Sequence, residues 1–269
     1  MMIENKLLAE FAELVRSGQT KPFTGPLKTG VDLGTANIVL AVVDSHNQPV
    51  AGMTTPSKVV KDGIVVDYVG AVHAVRTMKD VLEQKLGVEL TKAATAIPPG
   101  IIEGNVRCIA NCVAGADFEV TNIIDEPTAA ATVLGIRDGA VVDVGGGTTG
   151  ISILHDGEVI FTADEATGGT HMSLVLAGYH GIDFDAAEQM KLDPAQEADV
   201  FPVIKPVAEK MASIVGRFIS GRPVSDIYVV GGACCFTQFE DVFEKQLHIP
   251  VWKPNDCLFV TPLGIAMNG

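Results

Sequence analysis

Apolar positions recur along this chain at two periods. From Ile3 to Val15, the residues Ile3, Leu7, Leu8, Phe11, Leu14 and Val15 fall at helical spacing, with Glu4, Lys6, Glu10, Glu13 and Arg16 between them. That spacing predicts an amphipathic helix. Ser17-Gly18-Gln19-Thr20-Lys21-Pro22, followed by Gly25-Pro26, predicts a linker behind it. Residues 1–26 are therefore set apart, with two readings open: a helix packed on its own body, or a docking peptide tethered to it.

Beyond the linker, strand and helix patterns alternate. An apolar stretch from Val31 to Val43 is broken by Asp32-Leu33-Gly34-Thr35-Ala36-Asn37, and Asp44 to Gln48 forms a turn. Ala71, Ala74, Val75, Met78, Leu82 and Leu86 mark one helix face that Gly87 ends, and Ala93 to Ile97 is a buried strand closed by Pro98-Pro99-Gly100. Helices are expected over about 103–114 and from Pro127 to Gly135. Ala140 to Val144 and Ile151 to Leu154 are strands around Gly145-Gly146-Gly147-Thr148, and Asp156-Gly157 turns into Val159-Ile160-Phe161. Helices follow near 168–179, 184–191 and 203–219, then a last buried strand from Ile227 to Val230. The pattern carries an internal echo. Val31-Asp32-Leu33-Gly34-Thr35 and Val142-Asp143-Val144-Gly145-Gly146-Gly147-Thr148 each read as strand, Asp, glycine turn with Thr, and second strand. Two similar halves facing one another are the simplest architecture.

Composition narrows the class. The 269 residues hold 19 Lys+Arg against 33 Asp+Glu, a formal net charge of −14, with 47% hydrophobic and 19% charged residues. Such a chain supports one or two sizeable cores. Its acidity argues against nucleic acid and anionic membrane as partners, because phosphate neutralisation needs clustered Lys and Arg. No apolar run has the length of a membrane span, no signal-like leader is visible, and the five cysteines form no even framework. These features predict a cytoplasmic α/β protein.

The glycine turns bring in chemistry. A dinucleotide fold needs its glycine loop to open into a helix, and a Walker loop needs a following Lys-Ser or Lys-Thr; this chain has neither. A glycine-tipped hairpin can still wrap phosphate with free backbone N–H groups while Thr adds a hydroxyl. An Asp at the strand end can hold Mg²⁺ directly or through its waters. Either hairpin alone reads as a capped β-turn, whereas the repeated pair favours phosphate.

The motifs then resemble those of the actin/Hsp70/sugar-kinase ATPase superfamily, from Leu27 to the C-terminus. Asp32-Leu33-Gly34-Thr35 is similar to its first phosphate motif and Asp143 to Thr148 to its second. Ile124-Asp125-Glu126-Pro127-Thr128-Ala129-Ala130-Ala131 resembles the first hinge motif, Val229-Val230-Gly231-Gly232-Ala233 the adenosine motif, and Pro262-Leu263-Gly264-Ile265-Ala266 the second hinge motif. The resemblance implies a two-lobed actin-like/Hsp70-like fold of duplicated ribonuclease-H-like halves. The first lobe would span 27–136 plus 261–269 and the second 137–260, with a reduced second outer subdomain, since Gly231 follows Asp143 by only 88 positions.

It also implies ATP or ADP with Mg²⁺. Asp32 and Asp143 would organise the metal, and Glu126 would orient attacking water. Gly34, Thr35, Ala36, Asn37, Gly145, Gly146, Gly147 and Thr148 would surround the phosphates, Gly168 and Gly169 would approach phosphate or ribose, and Glu188, Lys191, Gly231, Gly232 and Ala233 would line the nucleoside. Glu188 and Lys191 read almost as well as an exposed i,i+3 ion pair. No lysine follows the Hsp70 pattern for a catalytic lysine, Lys58 and Lys61 being nearest, and no peptide-binding domain follows the second hinge motif. The length and N-terminal helix resemble Hsp70-like proteins encoded with bacterial microcompartment components. That implies a protein partner, among ethanolamine-utilisation enzymes or shell proteins, and association with a microcompartment. Three functions remain open at this stage: a slow ATPase working as a chaperone or assembly factor, a catalytically silent adaptor, and a small-molecule kinase.

Cys108 and Cys112 lack the partners of a metal site, and Cys234-Cys235 read as packing beside the adenosine motif. His171, after Thr167-Gly168-Gly169-Thr170, reads as a local hydrogen-bonder.

Overall fold

The computed structural model describes residues 2–269. In chain order the elements are β1 (Met2–Ile3), α1 (Lys6–Ser17), β2 (Lys28–Leu33), β3 (Asn37–Val43), β4 (Pro49–Pro56), β5 (Val60–Lys61), β6 (Ile64–Val65), α2 (Tyr68–Leu86), β7 (Lys92–Ile97), α3 (Glu103–Gly115), β8 (Glu119–Asp125) and α4 (Glu126–Leu134). The second half has β9 (Gly139–Val144), β10 (Thr149–His155), β11 (Glu158–Glu165), α5 (Gly169–His180), α6 (Phe184–Leu192), α7 (Glu197–Ile219), β12 (Ile227–Val230), α8 (Phe239–Leu247), β13 (Val251–Pro254) and α9 (Val260–Met267).

Two sheets carry the same topology. One runs β4-β3-β2-β7-β8 and the other β11-β10-β9-β12-β13, with β1 added beyond β13. In each, three antiparallel strands come first and two parallel strands follow on the side of the first strand. The echo in the sequence is thus an echo in strand order. Each sheet has its own core, around Val31, Leu40, Val75 and Leu82 in one lobe and Ile151, Met172, Ile204 and Phe243 in the other. A third apolar cluster joins the lobes, drawing Val39 and Ala41 from β3, Val141 from β9, Val230 from β12, Ala130 from α4 and Leu263 from α9.

The N-terminal segment belongs to that joint. Ile3, in phase with the helix in sequence, is instead a strand residue paired with Pro254, and Asn5 caps α1 by accepting from the Leu8 N–H at 3.0 Å. Leu8, Phe11, Ala12 and Leu14 are buried. A Cβ on Gly52 of β4 would come within 2.4 Å of the Phe11 ring, so the helix is seated against bare backbone. Phe11 also meets Phe259 edge-on at 5.9 Å. Of the two readings, packing on its own body is the one observed, and the linker is held as well, with Lys21 donating from its backbone to Val50 at 2.8 Å and Lys85 to the Gly18 carbonyl.

Other differences have local causes. α7 starts at Glu197 and runs through Pro202 and Pro206, ahead of the expected 203, because its buried face, Val200, Phe201, Ile204 and Val207, outweighs the two lost backbone bonds. Gly87 and Gly135 end α2 and α4 in the left-handed conformation as their positions predicted.

Phe11→Ala should cost about 3–5 kcal/mol of unfolding free energy, as for other fully buried aromatics. Denaturant melts check this, and a loss under about 1 kcal/mol would mean the helix is only lightly attached. Deleting residues 1–24 should correspondingly destabilise the whole chain.

Candidate functional site

The two glycine turns face each other between the lobes. Gly146 is so close to the first turn that a Cβ on it would lie 3.1 Å from the Ala36 Cβ and 3.2 Å from the Ala36 nitrogen. A Cβ on Gly147 would lie 2.7 Å from the Thr35 Oγ1 and 2.9 Å from Asp62. Only glycine fits at Gly147 without a shift in the facing loop. Gly34 and Asn37 close the first turn, with the Asn37 carbonyl 2.7 Å from the Cβ position of Gly34, and the Gly145 N–H donates to the Thr148 carbonyl at 3.0 Å in the second.

Carboxylates gather beneath the turns. Asp32 is the second-last residue of β2, Asp143 the second-last of β9, and Glu126 opens α4, where Pro127 sits at a first-turn position that needs no N–H. Burial, then the Asp143 charge, pushes Asp32 up to about 7. Burial pushes Asp143 up to about 6, against a hydrogen bond donated by the Thr261 hydroxyl of α9. Glu126 is held well above the usual carboxylate range by burial first and then by Asp143, Asp32, Asp164 and Asp125. Among the described residues, none of Asp32, Glu126, Asp143 and Asp164 forms an ion pair with lysine or arginine. The cleft is negative and dry in part, and among the described residues its carboxylates have no paired cation.

The remaining candidates form a second cluster around the start of α5. The Gly169 and Thr170 N–H groups donate to the carbonyls of Gly145 and Gly146 at 2.9 and 2.7 Å. Gly168 must be glycine, since a Cβ would lie 2.6 Å from the Gly145 oxygen. Lys191 donates to the Gly169 carbonyl at 3.0 Å, to the Ser173 hydroxyl at 2.8 Å and to Glu188 at 2.8 Å. The Lys191 side chain is only 8% exposed, so the exposed-pair reading of Glu188 and Lys191 gives way to a sheltered one, and desolvation lowers the Lys191 pKa against the Glu188 charge. Ala233 sits against Gly169, with its Cβ 3.2 Å from the position a Gly169 Cβ would take. Gly231, at φ +94°, lies against Asp143, and Gly232 lies against Leu258. His171 bonds locally, accepting from the Gly168 N–H at 3.3 Å.

The sequence assigns no catalytic lysine, and Lys58 pairs with Asp185 at 2.8 Å, both side chains largely exposed, while Lys61 is also exposed. Two findings depart from the sequence reading. Cys235 and Cys257 lie side by side, with Cα atoms 6.1 Å apart, and bring the adenosine-like loop next to the approach to α9. Asp164 of β11, unremarked in the sequence, faces Glu126 and Asp143; burial pushes it up to about 6 against a hydrogen bond from Thr148. Its nearest local signal is its place just before Thr167-Gly168-Gly169.

Duplicated halves with glycine hairpins meeting across a cleft, bound at the back by two hinge helices, define an actin-like, Hsp70-like ATPase fold. The Hsp70 protein family model matches residues 66–215. Ethanolamine utilization protein EutJ of Salmonella typhimurium is 48% identical over 91% of this chain and 86% of its own length. The crystal structure of EutJ from Carboxydothermus hydrogenoformans, 47% identical, superposes with a TM-score of 0.94 over 98% of both chains. MreB 5 of Spiroplasma citri, solved with AMPPNP, has the same fold at a TM-score of 0.73 and 17% identity, over 90% of this chain and 95% of its own. The chain belongs to the EutJ family of Hsp70-like proteins. Among the described residues, no helix is long and apolar enough to cross a membrane.

The raised carboxylates set a pH dependence. Asp32, with a folded pKa of about 7 against an unfolded value near 3.8, binds more protons folded than unfolded between those limits. Its contribution to stability therefore falls as pH rises from about 4 to about 7. In metal-free buffer, Asp32→Asn should gain stability relative to wild type across that window and keep the gain at pH 8. Melts over a pH series check this, and a difference independent of pH would mean Asp32 is not perturbed.

Proposed function

We propose that this chain binds Mg·ATP and Mg·ADP in the cleft and acts as a nucleotide-dependent chaperone or assembly factor for a protein partner of ethanolamine utilisation, at a microcompartment. The observation that carries the reading is the meeting of both glycine turns over Asp32, Glu126 and Asp143. The fold itself implies nucleotide binding, and the neighbour solved with AMPPNP shares it.

The residues fit a hydrated cation. Among the described residues, no three acidic, His or Cys groups gather closely enough to ligate a bare ion. Four carboxylates nonetheless face one another without a counter-charge, and the Asp164 Oδ1 is buried with no hydrogen-bond partner. That donor set suits Mg²⁺ kept in its water shell, with Asp32 and Asp143 accepting from those waters. When bound, the ion supplies the positive charge that offsets both the phosphates and these carboxylates. Thr35, Ala36 and Asn37 on one side, and Gly145 to Thr148 on the other, offer backbone N–H groups and hydroxyls to phosphate. Gly34 and Gly168 keep the turns tight enough for that approach. Gly169, Glu188, Lys191, Gly231, Gly232 and Ala233 would surround the nucleoside. Glu126, at the start of the hinge helix α4, would orient the attacking water, and catalysis would rest on positioning and electrostatics.

Lobe closure would be the output, with residues 27–136 plus 261–269 moving against 137–260 about α4 and α9. One observation favours the rival reading of a catalytically silent adaptor: Lys58 is paired with Asp185, Lys61 is exposed, and among the described residues no lysine forms an ion pair with the cleft carboxylates.

Mg·ADP at a hundredfold excess over Kd should stabilise the fold by about 2.7 kcal/mol, and a melt unmoved by Mg·ADP would remove the nucleotide reading. Glu126→Gln should keep ADP affinity nearly unchanged and slow hydrolysis about tenfold or more, roughly 1.4 kcal/mol of barrier. Asp143→Asn should weaken the Mg-dependent part of binding. A coupled assay decides: a wild type that binds Mg·ADP without turnover, alone or with partner, is the adaptor, and turnover unaffected by Glu126→Gln assigns the water to another group.

A further inference from the structure

We propose that Asp164 is a positioning residue for the hydrated cation of this cleft, its Oδ1 accepting a hydrogen bond from a metal-bound water. This rests on the nucleotide reading above and adds to it a carboxylate that lies in none of the phosphate, adenosine or hinge motifs.

The argument begins in strand register. β10 leaves the second glycine turn and pairs antiparallel with β11, which sets Gly150 opposite Asp164. Gly150 has no side chain, and a Cβ there would lie 3.5 Å from the Asp164 Oδ1, 3.3 Å from Pro127 and 3.1 Å from Pro99. The Asp164 carboxylate therefore leans over a bare stretch of backbone, toward the end of α4 that carries Glu126. Its charge is felt by Glu126, and it feels in turn those of Asp143 and Asp62.

Hydrogen bonding then separates Asp164 from the structural aspartates nearby. Asp125 accepts from the Thr128 N–H, the Thr128 hydroxyl and the Ser152 hydroxyl, and so caps α4 and ties it to β10. Asp44 accepts from the N–H groups of His46 and Gln48 in its turn. Asp164 has the Thr148 hydroxyl, and its Oδ1 is buried with no partner at all. A buried acceptor facing like charges gains nothing for the fold, because it has lost water and found no donor. A water on a bound cation would be such a donor. Thr148 lies in the glycine turn itself, so its bond to Asp164 couples this carboxylate to the loop that would hold phosphate.

Calorimetric titration of ADP into wild type and Asp164→Asn, in EDTA and across a magnesium series, tests the assignment, with melts of both proteins in EDTA. The variant should need at least about tenfold more magnesium for half-maximal ADP affinity, the usual scale for losing an outer partner of a metal. Its ADP affinity in EDTA should be equal or higher, since one negative charge is gone, and its melt in EDTA should be no lower than wild type. Asp164→Glu, which keeps the charge, should recover part of the magnesium response. An unchanged magnesium dependence beside a wild type that binds Mg·ADP overturns this assignment alone. A much lower melt in EDTA for both Asp164→Asn and Asp164→Ser marks a structural carboxylate and also overturns it. A wild type that binds no ADP at any magnesium concentration removes the nucleotide reading and this inference with it.

Discussion

Everything around the cleft is referred to one short helix. α9 is buried along nearly its whole length and is pressed on two sides against bare backbone. A Cβ on Gly30 of β2 would lie 2.4 Å from the Ala266 nitrogen, and one on Gly264 would lie 2.0 Å from the Ala129 oxygen of α4. These are backbone contacts with no flexible side chain to yield, so the spacing of β2, α9 and α4 is fixed by glycine at both faces. From its first turn Thr261 donates to Asp143 in the other lobe. The strand that carries Asp32, the helix that begins with Glu126 and the carboxylate of Asp143 are therefore held by one element. A shift of α9 would move all three at once.

Much of this was legible because the signals are local. Glycine between a buried strand and a second strand marks each turn, the helix stops at Gly87 and Gly135 need only a left-handed residue, and the repeated Asp-glycine pattern carries the duplication. What stayed hidden depends on contacts between distant residues. β8, Glu119 to Asp125, is an edge strand with Glu119, Thr121, Asn122 and Ile123 exposed, so it lacks a buried alternation to read. Ile3 keeps helical phase, but Asn5 captures the Leu8 N–H and starts the helix only at Lys6, leaving Met2 and Ile3 free to pair as a strand with Lys253 and Pro254. The seat of α1 is invisible from α1 alone because it is Gly52, forty residues on, that makes room for Phe11. Asp164 is the clearest case: its place just before Thr167-Gly168-Gly169 is only a weak signal, since its position is set by register against Gly150.

The charge balance of the cleft constrains what can happen there. Burial and mutual repulsion hold Glu126 well above the usual carboxylate range and push Asp32 up to about 7 and Asp143 up to about 6, so protons are retained where like charges share the site. Protons and a metal would then compete for the same carboxylates.

The glycine turns approach closely across the cleft, with Gly146 near Ala36 and Gly147 near Thr35, so on the proposed reading a phosphate chain would be admitted only if the turns parted. The back of the cleft resists parting, because the cluster of α1, α4, α9 and the β3, β9 and β12 strands is apolar and tightly packed, and α1 clamps both lobes through β1 on one sheet and Phe11 on the other. On the open side, the lobes are bridged by Lys58 and Asp185, whose side chains are 80% and 71% exposed. An ion pair that exposed is worth little and weakens with salt. The strong contacts lie at the pivot and the weak one at the rim, which is the order a hinged clamp requires if it is to open toward its ligand without unfolding.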